Sequence, residues 1–144
     1  MTSPLFPVPA SHIPYGFTTA PAITGLPHVT HVELSDAALG VHRVSSRFTH
    51  AVVSPPRADA AHAAAWEAVF AAGSIAPGNR DAPPGGFGFY AHGPAAFRAQ
   101  LARGGAREVV MGYEVLFEDG WAWRRGGKLP GICALSFECA GVSL

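Results

Sequence analysis

Residues 107–118 read REVVMGYEVLFE, and this stretch indicates the fold class more clearly than any other part of the chain. Apolar side chains alternate along it, so two sets of residues face opposite sides of an extended backbone. One set consists of Val109, Met111, Tyr113, Val115 and Phe117, and the other of Val110, Gly112, Glu114, Leu116 and Glu118. Because both sets are largely apolar, the pattern predicts a central β-strand that is covered on both faces.

Shorter elements are predicted on either side of this stretch. The strand predictions cover residues 29–34, 41–45, 48–53, 65–70 and 85–90, with a partner strand beginning at 121–123 after the Asp119-Gly120 turn. A single helical turn is predicted at 35–38, where Ser35 can cap it, and an amphipathic helix is predicted over 94–103. Many short strands separated by turn residues favour an all-β sandwich or barrel.

Composition limits the classes of function. The chain has 144 residues, of which 49% are hydrophobic and only 14% are charged, and the formal net charge is zero. The low charge content excludes a disordered polyampholyte. Nucleic acids and anionic membranes attract proteins with a basic excess, so we expect neither as a partner. The length is that of one domain.

The start of the chain is rich in proline. Six prolines within residues 1–28 predict an extended lead-in with at most one short strand. We find no signal-peptide pattern and no apolar run of membrane-spanning length, so the localisation is unknown and a cytoplasmic one is the default expectation.

The chain's single lysine, Lys128, follows two tryptophans and two arginines: Trp121, Trp123, Arg124 and Arg125. Aromatic rings can pack on sugar rings, and an arginine fork can hold a carboxylate. Repulsion among the three cations would favour the neutral form of Lys128, the form that acts as a general base. The same pattern also fits a solvated basic hairpin whose tryptophans belong to the core.

Residues 126–131 (GGKLPG), preceded by 113–123 (YEVLFEDGWAW), resemble the signature of the polysaccharide lyase family 14 domain. Three upstream stretches are similar to fungal members of that family: 25–29 (GLPHV), 35–42 (SDAALGVH) and 85–90 (GGFGFY). The resemblance covers roughly residues 14–131.

The resemblance implies a β-jelly roll, a sandwich whose concave sheet binds an acidic polysaccharide such as alginate or glucuronan. It also implies cleavage by β-elimination, with Lys128 as the catalytic base or charge stabiliser and Arg125 as an auxiliary contact to the carboxylate. The aromatic side chains of Tyr113, Trp121 and Trp123 would bind the substrate. No metal or other cofactor is expected, because this elimination requires none.

The chain also departs from the family pattern. Residues 70–74 (FAAGS) lack a lysine and a proline that family members carry, and residues 132–139 are not glycine-rich. We therefore divide the chain into a lead-in (1–28), a lyase-like β-sandwich (29–131) and a divergent tail (132–144). The sequence ends before the family's remaining strands, so we expect a truncated relative with exposed strand edges, prone to self-association and with reduced or lost activity.

Two other classes of function stay open. A noncatalytic carbohydrate-binding module on the same fold is one, and a non-functional fragment is the other. Tyr90 and Tyr113 are candidate acid or base groups, although packing roles are more common for strand tyrosines. The histidines at 28, 31, 42 and 50 lack the neighbouring carboxylates of a metal site, so we interpret them as ordinary strand or loop residues.

Overall fold

A computed structural model describes residues 8–45, 50–56, 64–75, 78–104, 106–123, 129–132 and 142–143. The described elements are mostly strands, which is compatible with the predicted all-β class. In chain order they are a 3₁₀ helix (Ala10–His12), β1 (Gly16–Thr18), β2 (Val29–His31), α1 (Asp36–Leu39), β3 (Val41–Ser45), β4 (Val52–Val53), β5 (Ala65–Trp66), β6 (Gly88–Ala91), α2 (Ala95–Gly104) and β7 (Val142–Ser143).

The strands form small sheets. β6 lies between β3 and β7 and is antiparallel to both, whereas β4 pairs with β5, also antiparallel. β1 and β2 form a parallel pair in which Gly16 is opposite Val29. The prediction of at most one short strand before residue 29 is confirmed for residues 8–28, where β1 is that strand.

Helix α1 begins and ends as the sequence predicts. Ser35 has extended backbone angles, and its side-chain oxygen accepts a hydrogen bond of 3.2 Å from the Ala38 amide. Gly40 ends the helix in the left-handed region, with φ 59°. The Gly40 and Leu39 carbonyls then accept hydrogen bonds from the amides of His92 and Gly93, which tie the end of α1 to the end of β6.

Helix α2 confirms the predicted amphipathic helix within one residue at each end. Its Phe97 ring packs edge-on against Phe17 and Tyr15, with ring centroids 5.0 and 6.0 Å away. Gly93 precedes the helix with φ 75°, and a Cβ there would lie 3.3 Å from both Phe17 and Phe97. The chain therefore needs glycine at this turn to seat α2 against β1.

A second aromatic group packs around Phe87, which is 2% exposed. The Phe87 ring lies 5.0 Å from His50, 5.6 Å from Phe89 and 6.5 Å from Trp66. These contacts hold the β4–β5 pair against β6. Among the described residues the buried apolar side chains are Phe87 and Leu39.

Gly85 confirms the prediction that the small residues of 85–90 allow a close approach. Gly85 forms an isolated antiparallel bridge with Phe70. A Cβ on Gly85 would lie 2.7 Å from the Ser74 Cβ and 2.8 Å from the Phe70 Cδ1, distances at which atoms clash. The loop 71–74 can lie against the segment that precedes β6 only because this side chain is absent.

The prediction of a central strand over residues 107–118 is wrong for this structure. The whole stretch is exposed and carries no strand assignment, and neither does 121–123. The exposed fractions of its apolar side chains run from 37% at Phe117 to 53% at Leu116. A strand forms when neighbouring backbones pair with it, and no described strand pairs with this stretch.

Several confirmed strands are shorter than predicted. The strands predicted at 29–34 and 65–70 end at His31 and Trp66, and of 48–53 only Val52–Val53 is a described strand. The 85–90 prediction corresponds to β6, which starts three residues later. Within the part of the chain that the structure describes, no helix has the length and apolar character needed to cross a membrane.

Candidate functional site

The residues before the GGKLPG motif form an aromatic ladder, by which we mean Phe70, Phe117, Trp121 and Trp123. The Trp121 ring lies edge-on to Phe70 at 5.4 Å and tilted against Phe117 at 5.3 Å. Phe117 also contacts the Trp123 ring at 4.6 Å. The Asp119-Gly120 turn brings the rings together, and Gly120 adopts φ 81° there. The predicted turn is thereby confirmed.

The two predicted sugar-binding tryptophans differ in exposure. Trp123 is 71% exposed, whereas Trp121 is half-buried between Phe70 and Phe117. Tyr113, the third predicted aromatic contact, is 40% exposed. The ladder therefore presents the Trp123 ring to solvent against the Phe117 ring, which Trp121 contacts in turn. An exposed ring with fixed support can stack on a sugar ring.

The charged part of the predicted site lies outside the described residues. This applies to Lys128, Arg125 and Arg124. Their predicted roles as base, carboxylate contact and neighbouring cation remain predictions. Of the GGKLPG motif, the structure describes the part that begins at Leu129, whose side chain is 54% exposed.

A pocket that the sequence did not predict lies between α1 and the β4–β5 pair. Its volume is about 320 Å³, and it is lined by Ser35, Asp36, His50, Ala51, Val52 and Trp66. The His50 Nε2–H donates to both carboxylate oxygens of Asp36, at 2.9 and 3.0 Å. This carboxylate fixes the orientation of the imidazole. The two residues are 14 positions apart, and no local pattern connects them.

A second group, which we call the β3–β6 cluster, consists of His42, Arg43, Tyr90 and His92. His42 is directly opposite Tyr90 in the sheet, and their rings lie 5.9 Å apart. The His42 and His92 rings are stacked at 4.0 Å. The guanidinium carbon of Arg43 lies 5.8 Å from the centre of the Tyr90 ring. The sequence suggested Tyr90 as a candidate but did not connect it with the histidines.

The electrostatics of this cluster disfavour a proton on His92. Partial desolvation is the main cause that lowers the pKa of His92, and the positive charges of His42 and Arg98 lower it further. The His42 Nδ1–H donates to the Gly40 carbonyl at 3.2 Å, which orients the ring. Among the described residues, no group of three or more histidine, cysteine, aspartate or glutamate side chains could hold a metal ion.

Comparison with known protein families shows to which family this chain belongs. The sequence profile of the family described as Polysaccharide lyase 14 matches residues 58–143, more than half of the chain. The chain belongs to the polysaccharide lyase 14 family. The suspected resemblance is thereby confirmed. No curated protein sequence and no solved structure matches the chain significantly.

The family match separates the site residues into two groups. In this polysaccharide lyase 14 chain, the matched range contains the aromatic ladder, the GGKLPG motif, Tyr90 and His92. His42 and Arg43 lie before it, as do Asp36 and His50 of the pocket. The β3–β6 cluster therefore joins residues from inside the matched range to residues outside it.

Proposed function

We propose that this chain acts on a uronic-acid polysaccharide of the alginate or glucuronan type and cleaves it by β-elimination. The single observation that carries the proposal is the family match over residues 58–143. This range includes Lys128 and Arg125, the residues to which the resemblance assigns chemistry.

The proposed reaction breaks the glycosidic bond without water. Lys128 takes the proton on C5, next to the carboxylate, the C4–O4 bond breaks, and a C4=C5 double bond forms. The departing O4 oxygen takes up a proton from the Lys128 ammonium formed in this step and becomes a hydroxyl group, so Lys128 returns to its neutral form. Because negative charge builds up on the carboxylate as the C5 proton leaves, Arg125 would stabilise that charge.

The aromatic side chains would supply binding energy rather than chemistry. In this proposal a sugar ring stacks on Trp123, which is 71% exposed, and Tyr113 lies along the same chain of sugars. Trp121 supports Trp123 through the Phe117 ring that both contact. The proposed fold is a jelly roll whose concave sheet holds the polymer, and it is compatible with the predominance of short strands among the described elements.

A noncatalytic carbohydrate-binding module is the second candidate. The observation that favours it is again the Trp123 ring, since one exposed and supported aromatic ring suffices for sugar stacking without a reaction. The two candidates agree on the ligand and differ on whether the bond is broken.

The experiment measures product and binding separately on the purified chain. Alginate and glucuronan are each incubated with the protein, and the ultraviolet absorbance of the unsaturated uronate reports cleavage. Calorimetry with short oligouronates reports binding. We expect Lys128→Ala to abolish product formation and leave most of the binding, and Trp123→Ala to weaken binding. Arg107→Ala, which removes an exposed cation outside the motif, serves as the control.

The outcomes separate the candidates. Product that disappears in the Lys128→Ala variant supports the lyase. Saturable binding without product in the unaltered chain supports the binding module. A folded chain that neither binds nor cleaves either polymer contradicts both.

A further inference from the structure

The β3–β6 cluster is built on an irregularity in the sheet. His42 pairs with Tyr90 and Ser45 pairs with Gly88, so β3 has two residues where β6 has one. The extra residue makes a β-bulge, a feature that changes the direction of a side chain. Without it, Arg43 would face the side of the sheet opposite to His42.

The bulge places Arg43 in an unfavourable backbone conformation. Its φ is 50°, and it is the non-glycine residue with a positive φ in the described part of the chain. Residues with a Cβ adopt this region at a cost in free energy, and such strain concentrates where a side chain has a specific task. Here the strained residue is Arg43, and its guanidinium lies over the Tyr90 ring. The same Tyr90 ring also neighbours His42.

The cluster combines several groups that can donate hydrogen bonds to an anion. These are the Arg43 guanidinium, the Tyr90 hydroxyl and an N–H group of the His92 imidazole. Arg43 and His92 are exposed, so a ligand can reach them from solvent. Neither β3, β6 nor α2 contains an aspartate or glutamate, so the local charge is positive or neutral.

We propose that the β3–β6 cluster is a carboxylate-binding subsite for an acidic sugar, with Arg43 as its main anion contact. This subsite rests on the proposed function, because that function supplies the uronic-acid ligand. Its residues differ from those to which the family resemblance assigns a role. Arg43 holds the carboxylate, and Tyr90 and the histidine pair surround it.

The subsite has a pH dependence of predictable sign. The titratable and charged groups around the two imidazoles are Tyr90, Arg43 and Arg98. Helix α1 packs against β3 and contributes Asp36, which is already paired with His50. A bound carboxylate opposes the desolvation and the positive charge that lower the pKa of His92, and so favours a proton on that ring. Binding of an acidic sugar therefore becomes tighter as the pH falls through the histidine range.

The decisive variant is Arg43→Gly. Glycine is the residue best suited to a φ of 50°, so this change removes the guanidinium and relieves the backbone strain together. We expect the midpoint of thermal unfolding to stay the same or rise, while the affinity for a short oligoglucuronate falls roughly tenfold or more. Arg103→Ala, which removes an exposed arginine at the other end of α2 from His92, is the matched control and leaves the affinity unchanged.

Titration calorimetry with the oligoglucuronate and with a neutral oligosaccharide of equal length tests the charge of the ligand. Tighter binding of the acidic sugar, lost in Arg43→Gly and retained in Arg103→Ala, supports the subsite. Equal affinity for the two sugars overturns it, and so does an Arg43→Gly variant that binds the acidic sugar normally.

The product assay distinguishes a failure of the proposed subsite from a failure of the proposed lyase function. Cleavage that persists with unchanged substrate affinity in Arg43→Gly overturns the subsite and leaves the lyase standing. Binding that depends on Arg43, in a chain that releases no unsaturated product, supports the subsite and contradicts the lyase.

Discussion

His42 and His92 stack with their ring centroids 4.0 Å apart and their planes inclined by 15°. His42 belongs to β3, and His92 directly follows the last residue of β6. The antiparallel pairing of these strands sets Val41 opposite Ala91 and so brings the two rings together. Two imidazoles this close cannot both take up a proton without repulsion.

The first prediction concerns pH. Because the pKa of His92 is lowered in the folded chain, the unfolded chain binds a proton there at its ordinary value of 6.5 while the folded chain does not. The free energy of unfolding therefore carries the full contribution of the neutral His92 above pH 6.5, and this contribution declines as the pH falls below 6.5. We expect the midpoint of thermal unfolding to decrease from about pH 7.5 to about pH 5.5.

The variant His92→Gln should reduce this decrease, since it removes the group that titrates. His31→Gln, in the exposed strand β2, is the control and should keep the decrease of the unaltered chain. Parallel pH profiles for the unaltered chain and His92→Gln would contradict the prediction.

The second prediction concerns Gly85. A methyl group there would meet the Ser74 Cβ at 2.7 Å and the Phe70 Cδ1 at 2.8 Å, so the loop 71–74 must move. We expect Gly85→Ala to lower the free energy of unfolding by about 1–3 kcal/mol, measured by chemical denaturation. Gly78→Ala is the matched control, because nothing lies within 4 Å of a Cβ at Gly78. Equal stability of the two variants would contradict a steric clash at residue 85.

The third prediction concerns the start of α1. The Ser35 side chain accepts a hydrogen bond from the Ala38 amide at 3.2 Å, and alanine cannot replace this bond. Ser35→Ala should therefore lower the free energy of unfolding by about 1 kcal/mol. Ser35→Thr keeps a hydroxyl oxygen at the same position and should restore most of the stability. A threonine variant as unstable as the alanine one would rule out capping as the cause.

The fourth prediction concerns self-association, which we propose occurs through the exposed apolar stretch 109–117. Its side chains include Val109, Met111, Val115 and Leu116, each at least 40% exposed. Contiguous exposed apolar surface favours association in water. Sedimentation velocity should give an apparent mass that rises with protein concentration.

The variant Val115→Lys should shift this association to higher concentration, because a charge would be buried in the contact. Val69→Lys is the matched control, since Val69 and Val115 are both 40% exposed and Val69 lies outside the stretch. A monomer at every concentration tested, or an equal effect of the two lysines, would contradict the proposed surface.

The helices show which features follow from nearby residues. Both were predicted within one residue at each end, since capping by Ser35 and the spacing of Phe97 and Leu101 depend only on the nearest turns. The Asp119-Gly120 turn and the close approach at Gly85 followed from the same kind of local chemistry. The family membership was likewise visible in short motifs, and the profile match confirms it.

The sites depend on contacts between distant parts of the chain. Residues 107–118 carry the pattern of a central strand, but the stretch is exposed. A strand is buried only when other segments pack against it, and the pattern within the strand does not specify those segments. The Asp36–His50 pair and the His42–His92 stack each join separate elements, and the bulge at Arg43 arises only when β3 pairs with β6. Short stretches of sequence thus determine the helices and the turns and identify the family. Pairing between distant strands determines the pocket and the β3–β6 cluster. The physical reason is that hydrogen bonds between strands form across space and leave no fixed spacing in the sequence.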